Sequence, residues 1–188
     1  ISNMTKKLKS YEAPRKLREA GLLIFSKREF ELFFGVSTTA ATFFLYHHCK
    51  SGLFVRLKNG LFALSSPLPS SEEIANRLYQ PSYLSFEFVL ARHGIIPETV
   101  YSITSATTKP SREFEVEGIN YSYSTLKKNV FTGYESQKIE GRTILIATPE
   151  KAFIDWLYLV DLKRRPFNDR LHLKELSKQK LFSYVKYF

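Results

Sequence analysis

Four groups of residues in this 188-residue sequence have types and spacings that could do chemistry. Glu150, Lys151 and Asp155 place two acids and a lysine within six positions, the make-up of a metal-dependent nuclease set. Such an enzyme needs acids that converge on one ion from separate elements, and no matching Asp lies in the strand or loop around them. Glu113, Glu115 and Glu117 alternate, which on a strand with one buried face is the spacing of the solvated side. His47-His48-Cys49 are consecutive, and neighbours on a helix diverge by about 100°, so they do not close on one ion. The single Cys also excludes a Cys-based zinc site and a disulfide framework. With no glycine-rich phosphate loop or serine nucleophile elbow in view, the expectation is a protein that is not an enzyme and uses no metal or cofactor.

The fourth group is Thr38, Thr39 and Thr42, with His47 and Lys50 further along. Small hydrogen-bonding residues at the start of a helix let its backbone approach base edges in a major groove, where bulky ones would hold it off. Local signals supply that helix. Ser26 with Glu29 is a capping box and Phe25 with Phe30 a hydrophobic staple, so a helix should run over Lys27–Phe34 and stop at Gly35. Ser37 caps the next, from Thr38 to about Ser51. On it Ala41, Phe44, Leu45 and His48 or Cys49 form the inward stripe, leaving Thr38, Thr39, Thr42, Phe43, Tyr46, His47 and Lys50 outward.

An earlier helix over 15–20 ends on Gly21, with Pro14 in its first turn. After Gly52, Asn59-Gly60 is a strong hairpin signal, and a two-residue loop pairs Lys58 with Leu61, Leu57 with Phe62, Arg56 with Ala63 and Val55 with Leu64. That register turns Val55, Leu57, Phe62 and Leu64 inward and Arg56 and Lys58 outward. Three helices followed by a basic two-stranded ribbon make a winged helix-turn-helix.

Ser65-Ser66-Pro67-Leu68-Pro69-Ser70 reads as a linker. Beyond it, Ser70 and Glu73 open a helix that ends before Pro81, and a second helix spans 85–93. The period then changes to two: 100–107 is strand-like, Glu117-Gly118 and Glu140-Gly141 mark hairpins, and Phe114, Val116, Ile119 and Tyr121 share one face. Thr148-Pro149-Glu150 starts a helix through Phe153, Leu157 and Tyr158. Leu173, Leu176, Leu181, Tyr184 and Phe188 suggest a last amphipathic one. The fold class is therefore α+β: a winged helix-turn-helix over residues 4–66, then a small mixed α/β domain with a mainly antiparallel sheet over 67–188.

The net charge is +10, and it is unevenly placed. Residues 1–70 hold eleven basic and four acidic residues, 71–160 nine and eleven, and 161–188 eight and three. A basic head beside a slightly acidic middle is an electrostatic footprint for an anionic partner on one module. Apolar runs are far short of the roughly 20 residues that a membrane span needs, and no signal-peptide core is present, so a soluble cytoplasmic protein is expected.

Two stretches resemble a known family. Leu17-Arg18-Glu19-Ala20-Gly21, leading through the paired helices to Asn59-Gly60-Leu61-Phe62-Ala63-Leu64, is similar to the winged head of the AbiEi-type antitoxins. Pro81-Ser82-Tyr83-Leu84-Ser85, Ala91-Arg92-His93-Gly94-Ile95-Ile96-Pro97, Phe131-Thr132-Gly133-Tyr134 and Thr148-Pro149-Glu150-Lys151-Ala152-Phe153-Ile154-Asp155 resemble that family's second domain, in the same order. The second domain is short beside fuller members. The resemblance implies an autorepressor that binds inverted repeats at its own promoter and acts as the antitoxin of a type IV toxin–antitoxin or phage-defence operon, opposing a nucleotidyltransferase-like toxin without necessarily binding it. On this reading Thr38, Thr39, Thr42 and His47 face base edges, Lys27, Arg28, Ser37 and Lys50 grip phosphates, and Arg56, Lys58 and Asn59 bring the wing to the backbone or minor groove. Two alternatives stay open: a module that binds a toxin or RNA through the C-terminal domain, and a nuclease using Glu150 and Asp155.

Overall fold

In the computed structural model, which describes residues 8–174 and 176–188, the chain divides into two units, Ile1–Ser70 and Ser71–Phe188. The fold is α+β, with two sheets that are mainly antiparallel. The first unit runs α1 (Glu12–Glu19), β1 (Ile24–Ser26), α2 (Lys27–Phe34), α3 (Thr38–Lys50), β2 (Phe54–Lys58) and β3 (Leu61–Leu64).

The boundaries of α2 and α3 follow from their caps. Ser26 Oγ accepts the Glu29 N–H at 3.1 Å while the Glu29 carboxylate accepts the Ser26 N–H at 2.6 Å, so both halves of the box form. Gly35, at φ +64°, ends α2 in the left-handed conformation that glycine adopts without steric cost. Two residues later Ser37 Oγ accepts the Ala40 N–H at 3.2 Å. Replacing Ser26 by Ala should destabilise the first unit by about 1 kcal/mol; a urea midpoint equal to that of the wild type would show that the box contributes nothing.

α1 starts three residues earlier than its Arg15 reading, because Pro14 as the third helical residue still falls among N–H groups that have no intrahelical partner. A larger departure is β1, which the capping signals concealed. Phe25 and Ser26 serve as staple and cap and also pair with Phe62 and Leu61, giving a sheet of order β1-β3-β2. β3 is therefore central, and all four of its residues are buried.

The expected hairpin register holds for Lys58 opposite Leu61 and is corrected by one residue beyond that pair. Arg56 pairs with Phe62, Val55 with Ala63 and Phe54 with Leu64, with a slip between Arg56 and Lys58. A two-residue loop keeps its register when both central residues are left-handed, whereas here Gly60 is left-handed at φ +76° and Asn59 is not. The slip moves Val55 off the core face, where Phe54 takes its place beside Ala13, Leu17, Phe25, Phe30, Ala41, Leu45, Phe62 and Leu64.

The second unit contains α4 (Ser71–Leu78), β4 (Ser82–Leu84), α5 (Glu87–Arg92), β5 (Ile103–Thr107), β6 (Arg112–Val116), β7 (Ile119–Thr125), a 3-10 turn (Lys128–Val130), β8 (Tyr134–Ile139), β9 (Arg142–Ala147), α6 (Pro149–Asp161) and α7 (Lys178–Val185). Its sheet has the order β6-β7-β5-β4-β9-β8. Both expected hairpins keep their registers, Val116 against Ile119 and Ile139 against Arg142, and in both turns Glu and Gly are left-handed together. Of the three joints that assemble the sheet from these hairpins, β4 with β5 is antiparallel, and β5 with β7 and β4 with β9 are parallel.

Two helix expectations shorten. Residues 82–84 are strand rather than the approach to a helix, so α5 starts at Glu87, after a buried Phe86 held at φ 59°. Leu173, Leu176 and Phe188 lie outside α7, which Ser177 caps; just upstream, the His172 N–H donates to Ile95 O. β4 meets β9 only at Leu84 and Ile146, and the Asn76 side chain supplies the missing partners by bonding both the N–H and the C=O of Leu145. Among the described residues no helix is long and apolar enough to cross a membrane.

Candidate nucleic-acid interface

The inward stripe of α3 is set by Ala41 and Leu45, both fully buried, and the outward stripe falls where the periodicity puts it. Thr38, Thr39, Thr42, Phe43, Tyr46, His47 and Lys50 are all exposed. Their side chains are not equivalent. Thr42 Oγ1 donates its proton to Thr38 O at 2.7 Å, so its hydroxyl is occupied within the helix. Phe43 lies parallel to the His47 ring, with centroids 6.3 Å apart and planes 4° apart, and the Lys50 ammonium sits 4.6 Å from the Tyr46 ring centroid. These are i,i+4 neighbours, the spacing at which helical side chains meet.

A second group gathers at the hairpin turn. Arg56 donates to Asn59 Oδ1 at 3.1 Å; both residues are exposed, and Lys58 is half-exposed. The Lys27 N–H donates to Gly60 O at 2.9 Å, which fastens the start of α2 to the turn and puts Lys27 and Arg28 next to the hairpin tip. β1 and β3 end level, Ser26 opposite Leu61, so the ribbon projects past the sheet by little more than its turn. The hairpin can thus reach a partner through Arg56, Lys58 and Asn59 but has no long loop to insert.

Charge distinguishes these surfaces from the rest of the unit. Residues 32–70 contain Lys50, Arg56 and Lys58 and no acid. The acids lie upstream and are engaged: Glu12 with Lys9 and Lys16, Glu19 with Arg15, Glu31 with Arg28, and Glu29 in its cap. Arg28, a proposed phosphate contact, is thus paired with an acid of its own helix. Its partner Glu31 is buried while Arg28 is exposed, and a pair of that kind is worth little in water and leaves the guanidinium accessible.

The other chemistry-bearing groups are placed differently. His48 Nδ1 lies 3.3 Å from Ser51 Oγ and its ring packs on Phe44, while His47 faces Phe43 on the outside, so the two imidazoles diverge. Burial pushes the Cys49 thiol up, away from the reactive thiolate. Glu113 and Glu115 are exposed on edge strand β6. Glu150, Lys151 and Asp155 are buried, with Asp155 and Lys151 at 0% and 1% exposure. Asp155 accepts three donors, Lys151 Nζ through Oδ1 and both Tyr83 OH and Ser85 Oγ through Oδ2 at 2.8 Å. Glu150 Oε1 accepts the Ser177 N–H at 3.1 Å.

Tyr83 and Ser85 lie at β4, so this network ties α6 to the centre of the sheet. Desolvation raises the Asp155 carboxyl and lowers the Lys151 ammonium despite their mutual attraction, and Tyr83 is pushed so far up that its hydroxyl stays a donor. The spacing of Lys151 and Asp155 was visible in the sequence; their partners Tyr83 and Ser85, some 70 residues upstream, were not.

No protein-family model matches this chain, and no curated protein matches it in sequence.

Proposed function

We propose that the first unit is a winged helix-turn-helix that binds duplex DNA in a sequence-dependent way, with α3 in the major groove and the β2–β3 turn on the flanking backbone. The observation that carries this reading is the exposed face of α3. It is small and hydrogen-bonding at its N-terminal end, basic at its C-terminal end, and part of a stretch without acidic residues. Thr38, Thr39, Thr42 and His47 are the base-facing residues, and Lys27, Arg28, Ser37, Lys50, Arg56, Lys58 and Asn59 hold the phosphates. The resemblance to AbiEi-type antitoxins extends this to an autorepressor that reads an inverted repeat at its own promoter and counters a nucleotidyltransferase-like toxin.

Selection from a library of duplexes with random centres tests the DNA-binding core of this reading. The expected result is enrichment of a single motif, present twice in inverted orientation in the promoter upstream of the gene. A pool that stays random after repeated rounds at about 100 mM salt, where specific complexes persist, would remove sequence-dependent binding.

A second reading concerns the second unit. α7 carries Phe182 at 70% and Val185 at 51% exposure on a helix that already packs against α6, a surface suited to a protein partner. If the second unit acts by docking, Phe182→Ser with Val185→Ser abolishes protection against the co-encoded toxin while promoter binding is retained.

A further inference from the structure

The outward face of α3 carries large apolar groups where a phosphate-tracking surface would carry cations. Phe43 is 74% and Tyr46 60% exposed, beside a Thr42 whose hydroxyl proton is already given to Thr38 O. What Thr42 offers outward is its methyl and an acceptor oxygen. The aromatic rings are held out along the helix, Phe43 by its parallel contact with His47 and Tyr46 by the Lys50 ammonium. For the commonest specific base contact, Arg or Lys to guanine, α3 offers no Arg and a single Lys, Lys50 at its last position, which is held over the Tyr46 ring.

Only one apolar group is displayed in the major groove, the C5-methyl of thymine. We propose that α3 discriminates A·T pairs through that methyl, with Phe43 as the specificity-determining residue and the Thr42 methyl beside it. This rests on the duplex-DNA reading of the first unit and adds to it the base that is read and the residue that reads it. Phe43 and Tyr46 are three residues apart, about 4.5 Å along the axis, so the apolar patch covers one or two neighbouring base pairs. Thr38 and Thr39, at the helix start, are left for hydrogen bonds to pairs on the other side. The acid-free surroundings suit this occupant, because the phosphates flanking the groove then meet Lys50, Arg56 and Lys58 without an opposing carboxylate on α3 or the hairpin.

The experiment is to take the duplex enriched from the random library and resynthesise it with deoxyuridine at each thymine, which removes the methyl and leaves every hydrogen-bonding group. The wild-type chain should lose about fourfold in affinity for each contacted methyl, the worth of burying one such carbon. Phe43→Ala should lose most of the discrimination between the thymine and uracil duplexes, with little change in affinity for an unrelated duplex, which phosphate contacts carry; Phe43→Leu, apolar but smaller, should retain more of it. Equal binding of both duplexes by the wild type, or undiminished discrimination by Phe43→Ala, overturns the thymine reading and leaves DNA binding standing. Loss of self-association by Phe43→Ala with discrimination intact also overturns it and makes the patch a protein interface. If no duplex is enriched at all, both readings fall together.

Discussion

Asp155→Ala is expected to destabilise the second unit by about 3–5 kcal/mol, the cost of breaking a buried ion pair from one side. The size follows from what is left behind. Lys151 is 1% exposed, and without Asp155 its ammonium is left beside the rings of Tyr83 and Phe188, at 5.8 and 5.0 Å from their centroids. Tyr83 and Ser85 each lose an acceptor too, and a buried hydroxyl without a partner costs about 1–3 kcal/mol.

Lys151→Met should cost less than Asp155→Ala, since it keeps an apolar stem in place and leaves Asp155 with two hydroxyl donors. Removing the polar group altogether, with Tyr83→Phe, Ser85→Ala, Lys151→Met and Asp155→Leu together, should recover most of the loss, because the pair is held against the desolvation of both ends. Trp156, the only tryptophan in the chain, lies in α6 beside Asp155, so its fluorescence during urea unfolding reports the second unit alone. A loss below about 1 kcal/mol for Asp155→Ala, in the range of a surface pair, would mean that the network does not hold α6 to the sheet.

Raising salt from about 50 to about 200 mM is expected to weaken duplex binding about 500-fold, if five cations neutralise phosphates and the logarithmic slope is about −4 to −5. The five are Lys27, Arg28, Lys50, Arg56 and Lys58. Replacing Arg56 and Lys58 together by Ala should weaken binding to every duplex alike and flatten the slope by about two, because phosphate contacts carry affinity without sequence information. Neither residue is in the core, and the strands they leave are anchored by Phe54, Leu57 and Phe62, so folding is preserved. Fluorescence anisotropy across a salt series reads both quantities. An unchanged slope in the double variant would take the hairpin out of the interface; affinity independent of salt would defeat the DNA-binding proposal itself.

The parts of this architecture that sequence reading located to the residue are those governed by interactions within about one turn of chain. α2 and α3 were legible because Ser26, Glu29, Gly35 and Ser37 each act on a backbone group three or four residues away. The exposed face of α3, and with it the candidate contacts Thr38, Thr39, Thr42, His47 and Lys50, followed from periodicity on that helix. The hairpins at Glu117-Gly118 and Glu140-Gly141 kept their registers since the turn dictates them. At Asn59-Gly60 the same inference held for Lys58 opposite Leu61 but failed by one residue for the pairs beyond it, in a hairpin whose turn has only glycine left-handed, and the core gained Phe54 in place of Val55.

The sequence by itself determined the local order of helices and hairpins, the concentration of positive charge toward the ends of the chain, and the side chains that α3 turns to solvent. Only the tertiary structure decided that Ile24–Ser26 and Ser82–Leu84 are strands, that β5 meets β7 and β4 meets β9 in parallel, and that Lys151 and Asp155 are buried rather than solvated. The reason is common to all three. A three-residue strand has no period of its own to read, a parallel partner arrives through a crossover that leaves no mark in the intervening residues, and a charged pair spaced four apart has the same pattern on a solvated helix as on one pressed against Tyr83 and Ser85. In each case the deciding partner lies far along the chain, and its position exists only once the sheet has formed.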